Sequence, residues 1–168
     1  AYSLIGNTTD EDVVKRKLYP WNGHYVRNDM DQDIGKMMAN FKRGRGDNMG
    51  TAGNLNDNAD ITAPVLSYWP NDYGLYNMSG NVAEWTSTSY FGGTYSSISD
   101  MNPDINYKVK ENDPLWMKRK VIRGGSWRDV AFYLQVSTRD YEFADTAKAY
   151  IGFRCVYQQI APALTNRR

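Results

Sequence analysis

Asn71-Asp72-Tyr73-Gly74-Leu75-Tyr76-Asn77-Met78-Ser79-Gly80-Asn81-Val82-Ala83-Glu84-Trp85-Thr86 is the stretch whose reading decides the fold. Its first residues, after Pro70, form a turn by composition: Asn and Asp bond their own backbone, and Gly accepts positive φ. Its end runs into Trp85-Thr86-Ser87-Thr88-Ser89-Tyr90, a strand by its aromatic and β-branched content. Between them, Asn77 and Glu84 offer side-chain oxygens seven residues apart, and Gly80 lets the chain bend so that backbone carbonyls point inward. A carboxylate, an amide oxygen and several carbonyls suit a hard cation such as Ca²⁺. An Asx turn followed by a strand with a surface glutamate fits the same residues.

Composition agrees with a fold made largely of turns. The chain has 168 residues, enough for one domain. Its 15 Asp against 4 Glu, with 15 Asn, point to many loops and few long helices. Lys plus Arg is 20 and Asp plus Glu is 19, and a formal charge of +1 gives no nucleic-acid footprint. No apolar run approaches the ~18 residues of a membrane span. One cysteine, Cys155, and one histidine, His24, exclude an intrachain disulfide and a zinc site of several Cys or His ligands. A 2-His-1-carboxylate iron site within the chain is excluded too, and Ser-His-Asp or Cys-His catalysis could draw only on His24. The chain opens at Ala1 without a Met or a signal peptide, which reads as a processed protein or a piece of a longer one.

Working outward, residues 1–18 are a short helix or a surface loop, and Tyr19-Pro20-Trp21-Asn22-Gly23 is a turn. Residues 40–60 form a Gly- and Asn-rich loop. Val65-Leu66-Ser67-Tyr68 and Lys120-Val121-Ile122-Arg123 are expected strands, and Ala131 to Thr138 resembles one by its Phe, Tyr, Val and Thr content. Tyr150 to Tyr157 is the clearest strand, with Ile151, Phe153, Cys155 and Tyr157 alternating against Arg154 and Val156. That pattern places Cys155 on an apolar face as a small buried hydrophobe. Residues 160–168 read as a tail.

Four pieces in order resemble the formylglycine-generating enzyme family, also called the sulfatase-modifying-factor domain. They are Tyr19-Pro20-Trp21-Asn22, Asn71 to Thr86, Val121-Ile122-Arg123-Gly124-Gly125-Ser126-Trp127 and Ile151-Gly152-Phe153-Arg154-Cys155. The resemblance implies an α+β, C-type-lectin-like, loop-rich fold, with residues 1–168 forming the C-terminal two-thirds of one domain. It also implies two calcium sites. One matches the Asn77 side chain, the Gly80 and Val82 carbonyls and the Glu84 carboxylate. The other matches Asn40, the Phe41 carbonyl, Asp57 and the Ala59 carbonyl, where a solvated Asn/Asp-rich loop is an equal reading. Arg139, Asp140 and Arg154 fall near family motif positions, and bracing of loops is the favoured reading of such arginines, since a planar five-donor guanidinium suits it. Trp21, Trp85 and Trp127 read as core anchors.

One departure governs the functional reading. Oxygen-dependent members of the family bind copper(I) through two cysteines just beyond the Gly-Gly-Ser turn, and thiolates are what Cu(I) requires. The matching stretch here, Trp127 to Val136, has no cysteine. The expectation is therefore a protein that is not an enzyme and holds no copper. Among non-catalytic relatives it resembles the gliding-motility and type IX secretion lipoproteins of the GldJ and GldK/PorK type. That resemblance implies a structural subunit at the periplasmic face of the outer membrane, with protein partners, ring-like self-association and a lipid anchor outside this chain. The alternative is a metal-dependent oxidase or sulfoxide synthase whose ligands precede Ala1. The loops at 42–60 and 92–118 carry Met49, Tyr95, Met101, Tyr107, Trp116, Met117 and Arg119, residue types enriched at interface cores. Trp116 is either an interface anchor or a lid on its own core.

Overall fold

The computed structural model describes residues 17–43, 59, 61–93 and 105–156. Four strands form one mixed sheet: β1 (Ala83–Ser89), β2 (Arg119–Arg123), β3 (Asp140–Phe143) and β4 (Ile151–Gly152), in the order β3-β2-β1-β4. β1 pairs antiparallel with β2, with Glu84 opposite Arg123 and Trp85 opposite Ile122. The register then shifts, so that Ser89 faces Lys120. β3 pairs antiparallel with β2, and β4 pairs parallel with β1 through Ala83–Ile151 and Glu84–Gly152. The described residues contain no α-helix. Their only helical turns are 3₁₀, at Leu115–Lys118 and Ala131–Leu134, so the helical half of an α+β fold is not found among them.

Most of the core sits beside the sheet and is built from loops. Tyr19, Met37, Ala39, Phe41 and Leu134 are buried together, with Leu18, Trp21, Val26 and Ala131 packed against them. Tyr19 and Trp21 stack at 4.9 Å, nearly parallel, and the Trp21 indole N–H donates to the Tyr25 carbonyl. Backbone hydrogen bonds tie these loops to the rest: Lys42 N–H donates to the Asp129 carbonyl, and Val136 N–H to the Leu18 carbonyl. Such loop-to-loop bonds stand in for the ladders of a larger sheet, since buried backbone groups must be paired somewhere.

β1 and β2 lie where the sequence places them. Three expected strands do not. Val65–Tyr68 is a turn, because Pro64 fixes its first dihedral and its carbonyl accepts from Ser67 N–H; Val65 and Leu66 are left exposed. Ala131–Leu134 closes a 3₁₀ turn through Tyr133 N–H to the Val130 carbonyl, which drops Leu134 into the core. The expected long strand at 150–157 is a strand only at Ile151–Gly152. Beyond it, Phe153 and Val156 are 78% and 93% exposed, and Cys155 is exposed rather than buried. The alternating pattern is present, but β4 has left the sheet before it can be used. Residues 1–16, most of the loop at 42–60, residues 94–104 of the loop at 92–118, and the 160–168 tail lie outside the described residues.

Candidate metal centre

The 77–84 segment is held in an unusual backbone path. Asn77 and Asn81 both have positive φ, 51° and 70°, as does Gly80 at 80°. Asn tolerates this region because its short side chain bonds locally. At Gly80 only glycine fits, because a Cβ there would sit 2.5 Å from the Asn40 carbonyl oxygen. Gly80 N–H donates to the Gly124 carbonyl at 2.8 Å, joining this segment to the Gly-Gly-Ser turn. The Asn77 side-chain amide donates to the Val65 carbonyl at 2.8 Å, which leaves its Oδ1 as the remaining arm.

Glu84, on β1, is met by Arg154 just past β4. The guanidinium reaches Oε1 from Nη2 at 2.8 Å and from Nε at 3.1 Å, and Oε2 from Nε at 3.2 Å. Nη2 also donates to the Tyr76 carbonyl at 2.8 Å. Arg154 thus fastens the Glu84 carboxylate to the backbone next to Asn77. An ionised carboxylate offers about four acceptor positions, so this brace leaves room for a further partner. Carboxylates that bind metals are commonly held by such outer hydrogen bonds.

The second expected set is partly in view. Asn40 is fully buried, and Phe41 and Ala59 are buried as well. Asp57 lies outside the described residues. Asn40 Nδ2 donates to the Ile61 carbonyl at 2.7 Å, while its Oδ1 is buried with no hydrogen-bond partner. A buried amide oxygen without a donor is costly, roughly 1–3 kcal/mol, and a cation removes that cost. Among the described residues no three His, Cys, Asp or Glu side chains converge, so any bound cation would rely mainly on amide and carbonyl oxygens.

The stretch expected to replace the copper-binding cysteines is closed on itself. Asp129 Oδ2 accepts from Ser126 N–H at 2.9 Å and from Ser126 Oγ at 2.5 Å, and Ser126 is fully buried. Ser79 Oγ donates to the Leu134 carbonyl at 2.7 Å. An aspartate-capped turn and a core leucine therefore stand where the resemblance would put thiolates. The chain's one sulfhydryl, Cys155, is exposed.

Comparisons with known proteins bear on the family and the fold. A family model, the sulfatase-modifying factor enzyme 1-like domain, covers residues 12–159. The chain belongs to this family. It is 35% identical over 124 residues to the formylglycine-generating enzyme of Streptomyces coelicolor, a match spanning 72% of this chain and 36% of that one. It is 30% identical over 148 residues to the inactive C-alpha-formylglycine-generating enzyme 2 of Bos taurus, spanning 84% and 38%. The chain thus spans little more than a third of these relatives. The solved structure of PvdO from Pseudomonas aeruginosa aligns with 77% of the chain and 42% of its own, at 23% identity and a TM-score of 0.52, a likeness of fold. The sulfatase-modifying-factor family therefore holds both active and inactive members among this chain's relatives.

One residue of this sulfatase-modifying-factor domain escapes sequence reasoning. Asn81 has no motif of its own, yet it is nine-tenths buried and bonds three segments at once. The available signal is the Gly80-Asn81 dipeptide, which favours two consecutive left-handed residues.

Proposed function

We propose that this chain is a non-catalytic, structural member of the sulfatase-modifying-factor family, acting in a protein assembly. The observation that carries this is the Trp127–Val136 segment: it has no cysteine, and its turn is filled by Asp129 and Leu134. Two-thiolate copper chemistry cannot be assembled from Cys155 alone. The exposed apolar side chains support association, since among the described residues more large apolar groups are exposed than are fully buried.

The assembly proposed, on the resemblance of the Tyr19–Gly23 and Val121–Asp140 stretches, is a gliding-motility or type IX secretion complex. There the protein would be tethered at the periplasmic face of the outer membrane by a lipid outside this chain, and would join a ring with copies of itself and protein partners. No nucleic acid enters this reading. Calcium is the proposed metal. Asn77, Glu84 and the carbonyls of Gly80 and Val82 would hold one ion. Asn40, Asp57 and the carbonyls of Phe41 and Ala59 would hold another, with the partnerless Asn40 Oδ1 as the strongest support. The ion's role is to cross-link loops that lack a sheet of their own.

The test is turnover. The protein is incubated with copper(I), oxygen and a sulfatase-type cysteine peptide, and the peptide is weighed by mass spectrometry. Unchanged thiol is the expected result; conversion to the aldehyde returns the chain to the enzymes.

A further inference from the structure

The loop from Asn28 to Lys36 is ordered by its own hydrogen bonds, yet its tip is exposed. Asn28 N–H donates to the Lys36 carbonyl and Gly35 N–H to the Asn28 carbonyl, both at 2.8 Å, just inside the Arg27–Met37 bridge. The buried Asn28 side chain accepts Met30 N–H at 2.8 Å, and Asp33 N–H donates to the Met30 carbonyl at 2.9 Å. Met37 anchors the base in the core. On this frame Met30 and Ile34 are 67% and 71% exposed, with Asp29 and Asp31 exposed beside them. Asp33 pairs with Lys36 at 2.6 Å, but among the described residues Asp29 and Asp31 have no hydrogen-bond or ionic partner. A loop already held in one shape loses little freedom on binding.

A surface of the opposite character lies on β2 and β3. Arg119 pairs with Phe143 and Val121 with Tyr141, so these four side chains share one face. The Arg119 guanidinium lies 4.5 Å above the Tyr141 ring and 5.6 Å from that of Phe143, and Tyr90 packs on Tyr141. Glu142, opposite Lys120, belongs to the other face, as does Asp140, opposite Ile122. β2 and β3 therefore bring no carboxylate to Arg119. Its Nε is buried without an acceptor, and among the described residues its guanidinium has no ion pair. Arg154, by contrast, is saturated by Glu84 and the Tyr76 carbonyl.

We propose that the 28–36 loop of one copy seats on the Arg119–Tyr141 face of a second copy. Asp29 or Asp31 pairs with the guanidinium, and Met30 lies against the aromatic rings, a contact that sulfur favours. The occupant is a second copy because both halves of the match, acidic-apolar and cationic-aromatic, belong to this chain and neither is satisfied within it. The two surfaces differ, so the contact is head-to-tail, the kind that repeats into a ring where its rotation closes. This rests on the self-association proposed above and names its two surfaces.

The experiment is sedimentation velocity of the native protein and of two variants, Arg119→Gln and the double substitution Asp29→Asn with Asp31→Asn, each shown to be folded by circular dichroism. Wild-type protein should associate, less so at high salt, and each variant should associate at least about tenfold more weakly. An equal mixture of the two variants should recover a dimer and nothing larger, since the intact loop of one meets the intact face of the other. Benzoylphenylalanine in place of Met30 should photo-cross-link to the Tyr141 peptide of a second copy, a readout that does not depend on how Arg119→Gln folds. If wild-type protein associates but the variants match it, the mixture stays monomeric, or Met30 cross-links elsewhere, the docking pair is wrong while self-association stands. If wild-type protein is monomeric throughout, self-association itself fails and this inference with it.

Discussion

Gly80 carries more structural information than any catalytic motif in this chain. Its φ of 80° and the 2.5 Å approach to the Asn40 carbonyl make two separate demands for glycine. An alanine would pay a left-handed backbone penalty of about 1–2 kcal/mol and would also collide with backbone rather than with a flexible side chain. Gly80→Ala is therefore expected to destabilise the protein by roughly 2–4 kcal/mol, a drop of about 5–15 °C in Tm at this size. Thermal unfolding in chelator measures it free of any metal effect; a Tm unchanged within a degree would mean that the 39–41 backbone yields. Individual residues were unevenly legible. Gly80 and Glu84 could be read from oxygen chemistry and the need for a bend. Asn40 came only through family resemblance, because nothing in residues 40–60 distinguishes a ligand from a solvated loop residue. For Asn81 the Gly80-Asn81 dipeptide signals only the backbone path; its bonds depend on Asn40, Ala63 and Trp127, all brought to it by tertiary folding.

At the scale of elements, strands supported by neighbours were legible and isolated apolar runs were not. β1 and β2 combine β-forming residues with two partners each in the sheet. Ala131–Thr138 has the composition of a strand but no edge to join, so local i to i+3 bonding wins and Leu134 turns inward. β3, Asp140–Phe143, alternates polar and aromatic residues but is only four residues long, too short a run to stand out in the sequence; Tyr141 packs against Tyr90 at 4.7 Å, with the Arg119 guanidinium 4.5 Å above it. The segment leading to the 3₁₀ turn at Leu115–Lys118 is organised by a side-chain bond. Asp113 Oδ2 accepts from Lys110 N–H at 2.7 Å and from the Tyr107 hydroxyl at 3.0 Å. The Lys110 bond holds the Asp113 carboxyl below its ordinary value, and the Asp113 bond raises the Tyr107 phenol above 10.0. For Asp113, the folded value is depressed, so its contribution is present above the ordinary carboxylate range and lost as pH falls through the lowered value. For Tyr107, the folded value is raised, so its contribution is present below pH 10.0 and lost as pH rises through the raised value. Asp113→Asn should bring the Tyr107 titration, followed by NMR of its ring, back down toward that of a free tyrosine. A midpoint that does not move would show that the bond is not what displaces it.

At the scale of the whole molecule, the question is what covers the apolar surface. Trp116 sits on the 3₁₀ turn before β2, 52% exposed, with its ring edge-on to Phe91 at 6.1 Å and with Leu115 exposed beside it. It is neither folded into a core nor free of contacts, and the assembly proposed above would complete its burial against another molecule. An edge-on aromatic pair contributes about 0.5–1.5 kcal/mol, so Trp116→Ala should lower the Tm of the isolated protein by only a few degrees. An anchor at the centre of an interface is worth more, commonly 2 kcal/mol or above, because its truncation leaves a desolvated pocket on the partner. The expected outcome is therefore a split between two measurements. Mass photometry or direct imaging of the native particle should show Trp116→Ala failing to assemble, while differential scanning fluorimetry of the isolated protein shows it still folded. The opposite split, intact assembly with a Tm reduced by ten degrees or more, would assign Trp116 to the protein's own packing and move the docking surface elsewhere, to the exposed Phe153–Val156 edge beyond β4.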